Sequence, residues 1–263
     1  MIFSPDQLIQ QYQVSRKKFI HIADNRYTVK LAESYAEIDA ALKLRFEVFN
    51  LELKEGLYSS YATLRDEDLF DNQCNHLLVI EKTTGKIIGT YRLQSYEMAR
   101  SGNGFYSATE FELAMLGRTL LKKSVELGRA CISSEHRNGR VLFLLWKGIW
   151  QYLHLKQKRF LFGCCSITSQ DPADGIRLFR SLEKSGHLQR GTRVLAKRGY
   201  ECLYADNSTK TQTVINMPPL MDMYLRHGAK VYSYPAIDRE FKTIDFLVLL
   251  DTHDISEDTK KLL

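Results

Sequence analysis

The sequence predicts an α/β fold in which a mixed central β-sheet is flanked by helices on both faces. Short apolar, strand-like runs alternate with segments of helical period. The order strand, helix, strand, helix runs through residues 125–182, and a helix followed by strands returns at residues 218–250.

Each element follows from its residues. Ser34 with Glu37 makes a capping box, and Ile38, Ala41, Leu42 and Phe49 share one face of a helix ending near Phe49. Asn75–Glu81 and Lys86–Leu93 are strand-like runs about Thr83-Thr84-Gly85, the pattern of a hairpin. Val125–Ile132 supplies a third strand. The run Val141–Leu155 is apolar nearly all round, as in a helix packed on more than one side, and Arg159–Ile167 reads as a buried strand. Asp171 and Pro172 give a helix cap and first helical position, with Ile176, Phe179 and Leu182 on one face and Gly186 as the stop. Pro218–His227, closed by Gly228, is a last helix, followed by strands near Lys230–Tyr234 and Thr243–Leu250.

With 263 residues, 44% hydrophobic and 26% charged, the chain can bury a large core. No internal repeat, low-complexity tract or Pro/Gly-rich linker divides it, so one continuous domain is expected. The richest apolar run, Val141–Leu155, is interrupted by Lys147 and too short to span a membrane. Met1–Gln13 lacks the layout of a secretory signal, and the five cysteines are scattered, which points to a reducing cytoplasm. A net charge of +6 with basic clusters at Arg16–Lys18, Lys122–Lys123, Arg137–Arg140 and Lys156–Arg159 suits an acidic partner. Zinc-finger spacing and aromatic RNA-binding signatures are absent, so an acidic carrier protein or anionic lipid surface fits better than nucleic acid.

A few charges stand in apolar surroundings. Arg45 projects from its helix's apolar stripe and needs acceptors, for which Asp66, Asp68 and Asp71 are the candidates; the alternative is an arginine snorkelling at the stripe's edge. Arg92, within a strand, poses the same question. Glu126-Leu127-Gly128-Arg129 places two opposite charges in an apolar strand. A β-bulge at Gly128 would bring Glu126 and Arg129 to one cavity as a proton acceptor and a carboxylate holder; otherwise they form a structural ion pair. Arg137-Asn138-Gly139-Arg140 precedes a helix, where free N–H groups bind phosphate, although a solvated turn explains the same residues. Cys164 and Cys165 read as small core residues and His76 as a core histidine. No Cys-x-x-Cys, paired histidines or Gly-x-Ser-x-Gly elbow appears, so neither a metal site nor a serine hydrolase is expected.

Taken together, several ordered segments resemble the bacterial ornithine N-acyltransferase family, which has a GNAT-type fold. They are Leu44-Arg45-Phe46-Glu47-Val48-Phe49, Phe70-Asp71 with Cys74 and His76–Val79, Phe105–Phe111, Glu126-Leu127-Gly128-Arg129 and Arg137-Asn138-Gly139. The match continues through Leu144–Ile149, Gly163-Cys164-Cys165-Ser166, Tyr224-Leu225-Arg226 with Gly228-Ala229, and Pro235-Ala236 with Asp238 and Phe246–Leu250. It covers roughly residues 27–251, leaving 1–26 as an N-terminal extension and 252–263 as a tail of one GNAT-like domain. Arg45, the Asp66/Asp68/Asp71 cluster and Glu126 with Arg129 are also similar to the pattern of acyl-homoserine-lactone synthases, more distantly.

The resemblance implies transfer of a long-chain, 3-hydroxylated acyl group from the phosphopantetheine thioester of acyl carrier protein, or alternatively coenzyme A, to the α-amino group of an amino acid, ornithine first. The alternatives are glycine or another amino acid as acceptor, or a non-catalytic acyl-carrier or lipid-binding protein. It implies no permanently bound cofactor. Glu126 would accept the amine's proton; Arg45, Arg92, Arg129, Asp68 and Asp71 would shape and charge the cleft. Backbone N–H groups near Cys131 and Ile132 would stabilise the oxyanion, and Arg137, Asn138, Gly139 and Arg140 would hold the carrier's phosphate. An amphiphilic product implies transient contact with the inner membrane. One departure is visible: relatives commonly have Asp where this chain has Asn75.

Overall fold

The computed structural model describes residues 20–191, 193–202 and 217–263; the Arg16–Lys18 cluster and the Met1–Gln13 stretch lie outside them. The described strands form one sheet: β1 (His21–Ala23), β2 (Tyr27–Leu31), β3 (Asn75–Glu81), β4 (Ile87–Ser95), β5 (Ser124–Ile132), β6 (Phe160–Ile167), β7 (Lys230–Val231), β8 (Ala236–Asp238) and β9 (Thr243–Asp251). Their order is β1-β2-β3-β4-β5-β6-β9-β7, with β8 also on β9. Every pairing is antiparallel except β5 with β6, so the sheet is mixed, as the sequence predicts. The predicted hairpin joins β3 to β4, with Gly85 at φ +69° where a side chain would be strained.

Helix α1 (Tyr35–Phe46) lies on one face of the sheet. The others, α2 (Arg140–Lys156), α3 (Pro172–Lys184) and α4 (Pro219–Arg226), pack with Leu77, Val79, Tyr91, Leu93, Leu161 and Phe246 into one apolar cluster on the other. Asp171 caps α3 as expected, accepting the Ala173 N–H at 2.9 Å. At α1 the Glu37 N–H donates to Ser34 Oγ, but the Glu37 carboxylate accepts from Glu33 N–H, one residue before the expected partner.

A few boundaries differ from expectation, each for a local reason. Beyond Phe46 the helix widens into a π-helical turn, Glu47–Glu52, closed by the Leu53 N–H on the Val48 carbonyl at 2.9 Å. Such turns concentrate at functional sites. Here it delivers the chain into a reversal in which Lys54 (φ +61°) and Gly56 (φ +78°) flank Glu55. Strand β7 stops at Val231 rather than Tyr234, because the Leu247 N–H donates to Ser233 Oγ instead of a strand carbonyl. Strands β1 and β2 escape the sequence reading, although Tyr27 and Val29 alternate as buried residues; β1 falls within the stretch expected to be an extension.

Candidate active site

The site originates where two strands part. β5 and β6 are in register only over Ser124, Val125 and Glu126 against Phe160, Leu161 and Phe162. Past that point β6 leaves, and the edge of β5 from Leu127 to Ala130 has no strand partner. At the vertex stands Gly163, where an added Cβ would lie 2.2 Å from the Leu127 carbonyl oxygen. Only a glycine lets the backbones approach this closely before they diverge. The variant Gly163→Ala is therefore expected to lose about 1–3 kcal/mol of stability by overpacking, read as a lowered midpoint in chemical denaturation.

The gap opens into a cavity of about 820 Å³, within the range of small-molecule sites. It passes through the sheet, so its two ends differ. On the side of α3 and α4 it is lined by Leu161, Ile167, Leu220, Met221, Val248 and Leu250. Towards α1 it is lined by Arg92, Tyr106, Arg129, Ser166, Asp245 and Glu55. The difference follows from strand alternation: neighbouring residues of β6 and β9 point to opposite faces.

Arg45 does find acceptors and does not snorkel. It is 1% exposed, with Nε 2.7 Å from Asp66 Oδ2 and Nη1 2.6 Å from Asp71 Oδ1. Arg92 Nη1 lies 2.6 Å from Asp68 Oδ1 and 3.2 Å from Asp71 Oδ1, and Arg129 Nη2 lies 3.2 Å from Asp68 Oδ2. Three arginines and three aspartates thus share one buried cluster. Burial pushes the Asp71 carboxyl up, but Arg45 and Arg92 outweigh it and hold it well below the usual carboxylate range. His76 Nε2 donates to the Asp71 carbonyl, 3.1 Å away, and burial lowers its pKa to about 4, so it is the neutral core histidine that the sequence suggests.

Arg129 reaches this cluster through a bulge, one residue beyond the expected place. Thr90 pairs with Cys131 and Arg92 with Gly128, so Arg129 and Ala130 together oppose Tyr91. Arg129, not Gly128, takes the left-handed backbone (φ +49°), a conformation costing about 1–2 kcal/mol for a residue with a side chain. The extra residue throws Arg129 onto the face that carries Arg92 and Glu126. Its guanidinium is sandwiched between the Tyr106 ring at 4.8 Å and the Phe241 ring at 4.3 Å, and its Nε lies 3.2 Å from Asp66 Oδ2 in an ion pair. Both of its ion pairs, to Asp66 and Asp68, are 3.2 Å long, looser than the shortest contacts of Arg45 and Arg92.

Glu126 is not where the base expectation needs it. It is buried and does not line the cavity; both its oxygens are occupied, accepting the Tyr106 N–H at 2.9 Å and the Ser107 N–H at 2.7 Å. Burial raises its pKa and the backbone donors oppose the rise. It is not paired with Arg129 either; it anchors the segment that presents Tyr106 to the cavity.

Among the carboxylates that line the cavity is Asp245, 3% exposed and directly across from Ser166 in the β6–β9 ladder. Burial raises its pKa, while bonding to Glu110 lowers it; burial and then the charge of Asp245 push Glu110 far above the ordinary carboxyl range. Burial thus disfavours the charged form of both neighbouring carboxyls. Cys164 joins them, with the ligand atoms of all three within 4.8 Å of one another. Cys164 and Cys165 are more than the core fillers the sequence suggests: both line the cavity, with thiols held in the protonated form by burial.

The expected carrier-binding residues stand apart from the cavity lining. Cys131 is buried against Leu44, Val48, Phe49 and Phe241, and Ile132 pairs with Gly89 in the β4–β5 ladder. Arg137 is engaged with Glu52 and the Ile132 carbonyl, and Arg140 with Asp24 at 2.9 Å. Gly139 (φ +78°) precedes α2, and Asn138 Oδ1 accepts the Arg140 N–H at 3.1 Å. Asn75 also lies away from the cavity, accepting the Tyr152 hydroxyl at 2.8 Å.

Among solved structures, an N-acyl amino acid synthase from uncultured soil microbes aligns at TM-score 0.48 and 11% identity, over 90% of this chain and 98% of that one. The family model described as an acetyltransferase (GNAT) domain matches residues 44–147. An L-ornithine N(alpha)-acyltransferase of Agrobacterium fabrum is 36% identical over 246 residues, covering 86% of this chain and 81% of the relative; that of Brucella abortus is 36% identical over 245 residues, covering 87% and 85%. The chain belongs to the L-ornithine Nα-acyltransferase family. It is an acyltransferase, and its mixed sheet with helices on both faces is a GNAT fold. In this family member Arg45, Asp71, Arg92 and Glu126 all fall within the matched GNAT region, whereas Asp245 lies beyond it. No helix among the described residues is long and apolar enough to cross a membrane.

Sequence reasoning missed Glu55, Tyr106 and Asp245 as cavity residues. For Asp245 a signal existed: a carboxylate directly before Phe246–Leu250, inside a run otherwise fit for a fully buried strand. For Glu55, within Lys54-Glu55-Gly56, nothing local distinguishes it from a solvated loop residue.

Proposed function

We propose that this protein transfers a long-chain, 3-hydroxylated fatty acyl group from the phosphopantetheine thioester of acyl carrier protein to the α-amino group of L-ornithine. The observation that carries this is the cavity through the sheet, apolar at one end and charged at the other. An acyl chain suits the first and an amino acid the second, so their reactive groups meet at the gap between β5 and β6.

Arg129, which lines the charged end of the cavity with both of its ion pairs at 3.2 Å, is placed to hold the amino acid's carboxylate. Asp245 accepts a proton from the α-ammonium group, and the free amine attacks the thioester carbonyl. N–H groups on the unpaired edge of Leu127–Ala130 stabilise the tetrahedral oxyanion. The C–S bond then breaks as the amide forms; the carrier thiolate takes up the second proton released by the nitrogen and leaves as the thiol, and the first passes from Asp245 to solvent. Glu126 acts by position, fixing Tyr106 against Arg129. The N-terminus of α2 with Arg137 and Arg140 receives the carrier's phosphate, which displaces exposed surface ion pairs of little energetic value. Exposed Leu51, Leu53, Tyr58, Tyr61 and Leu64, clustered beside the cavity lining at Leu53, support contact with a membrane surface that takes up the product.

Incubation with acyl carrier protein or coenzyme A loaded with chains of several lengths, together with a mixture of amino acids, is expected to yield acyl-ornithine by mass spectrometry, with the carrier-protein thioester as better donor. A different acyl-amino acid as main product would refute the acceptor, equal use of acyl-coenzyme A would refute the donor, and no amide from any combination would refute the reaction.

A further inference from the structure

We infer that Glu55 is the subsite for the side-chain cation of a basic amino-acid acceptor, and so the residue that separates ornithine from neutral amino acids of the same shape. The inference rests on the acyl-transfer reaction just proposed. Glu55 lines the charged end of the cavity and is 7% exposed, yet among the described residues it forms no ion pair. Its one side-chain hydrogen bond comes from the neutral Thr168 hydroxyl just beyond β6. The buried acids of the arginine cluster and of β5 have their charge met. Asp66, Asp68 and Asp71 face arginines, and Glu126 holds two backbone N–H groups. An isolated carboxylate kept out of water is unfavourable, and such a group is retained where a ligand supplies the missing charge.

The backbone around Glu55 shows the same economy of purpose. Lys54 takes a left-handed conformation (φ +61°), Gly56 another (φ +78°), and the Glu55 N–H is tied to the Phe49 carbonyl at 2.9 Å. The π-helical turn and this reversal together direct one side chain inward, a strained arrangement that persists where the position matters. Burial, with Asp245 adding to it and Thr168 opposing it, raises the Glu55 pKa. Arg129 and Asp245 then engage the carboxylate and the α-amine of the acceptor, and Glu55 faces its side-chain ammonium. The site thus matches a diamino acid, charge for charge.

The test compares L-ornithine with L-norvaline, which has the same carbon chain without the terminal amine, in wild type and in Glu55→Gln. Wild type is expected to favour ornithine, and Glu55→Gln to raise KM for ornithine roughly 10–100-fold, the scale of one charge-assisted hydrogen bond, with KM for norvaline unchanged. Glu55→Gln should melt no lower than wild type, since it removes an uncompensated buried charge; Glu55→Asp should regain part of the preference. In wild type, KM for ornithine should rise as pH falls through the Glu55 titration while that for norvaline does not. Equal loss of both acceptors in a folded Glu55→Gln protein would overturn the assignment, as would equal use of both acceptors by wild type; in either case acyl transfer itself stands. Failure to acylate any acceptor would remove both proposals together.

Discussion

Replacing Asp71 by Asn is expected to destabilise the fold by about 3–5 kcal/mol, the scale of breaking a buried ion pair from one side. Set against a total stability of about 5–15 kcal/mol, that is enough to leave much of the chain unfolded at moderate temperature. Asp71 accepts from Arg45 at 2.6 Å and from the Asp68 N–H at 2.8 Å, and Arg92 lies 3.2 Å away. Its loss leaves two buried guanidinium groups without enough charge. Urea denaturation followed by tryptophan fluorescence measures the effect, and a shift worth under about 1 kcal/mol would place the cluster among ion pairs of negligible net value. The pH dependence has a definite direction. Asp71 and Asp68 have folded values below the ordinary one. Their stabilisation is therefore present above the unfolded carboxyl range and is lost only as pH falls through the lower folded values. Asp71→Asn should lose that acid-labile component, so its stability should vary less with pH on the acid side than that of wild type.

The second large effect is kinetic. Asp245→Asn is expected to lower kcat by roughly 10²–10⁴-fold, the usual contribution of a positioned base, with KM for the amino acid little changed. Because burial raises the Asp245 pKa, wild-type activity should increase with pH as that carboxyl ionises, and this limb should vanish in Asp245→Asn. Glu126→Gln serves as the contrast. A Gln there must turn an NH₂ group towards either the Tyr106 or the Ser107 N–H, losing a hydrogen bond at a buried site and costing about 1–3 kcal/mol of stability. The protein that folds should retain the wild-type pH limb. If Glu126→Gln instead removes the limb and Asp245→Asn keeps it, proton transfer belongs to Glu126 and the base assignment here is wrong.

These two predictions also mark how far a sequence reaches. The demand of Arg45 for acidic partners is legible, because a charge on the apolar stripe of a helix cannot remain unpaired, and Asp66, Asp68 and Asp71 are close in the chain. The helices at Val141–Leu155 and Asp171–Gly186 and the hairpin about Gly85 are legible for the same kind of reason: period, caps and turn residues act over a few positions. The expectation of a bulge in Glu126–Arg129 is sound in purpose but one residue off, since the left-handed position falls on Arg129, where cluster and aromatic contacts offset the strain that glycine would have avoided.

What tertiary structure alone decides is which charges face the cavity. Glu126 and Asp245 both look like carboxylates in apolar strands. One is turned to the backbone of Tyr106 and Ser107, and the other to the gap, by the register of β5 on β6 and of β6 on β9. Glu55 gains its setting from a π-helical turn and from Thr168, far away in the chain. Local pattern determined that this protein would fold as a helix-covered mixed sheet with a buried arginine cluster. The strand pairings between distant segments determined where the sheet parts, because alternation assigns each side chain to a face only after the register is set.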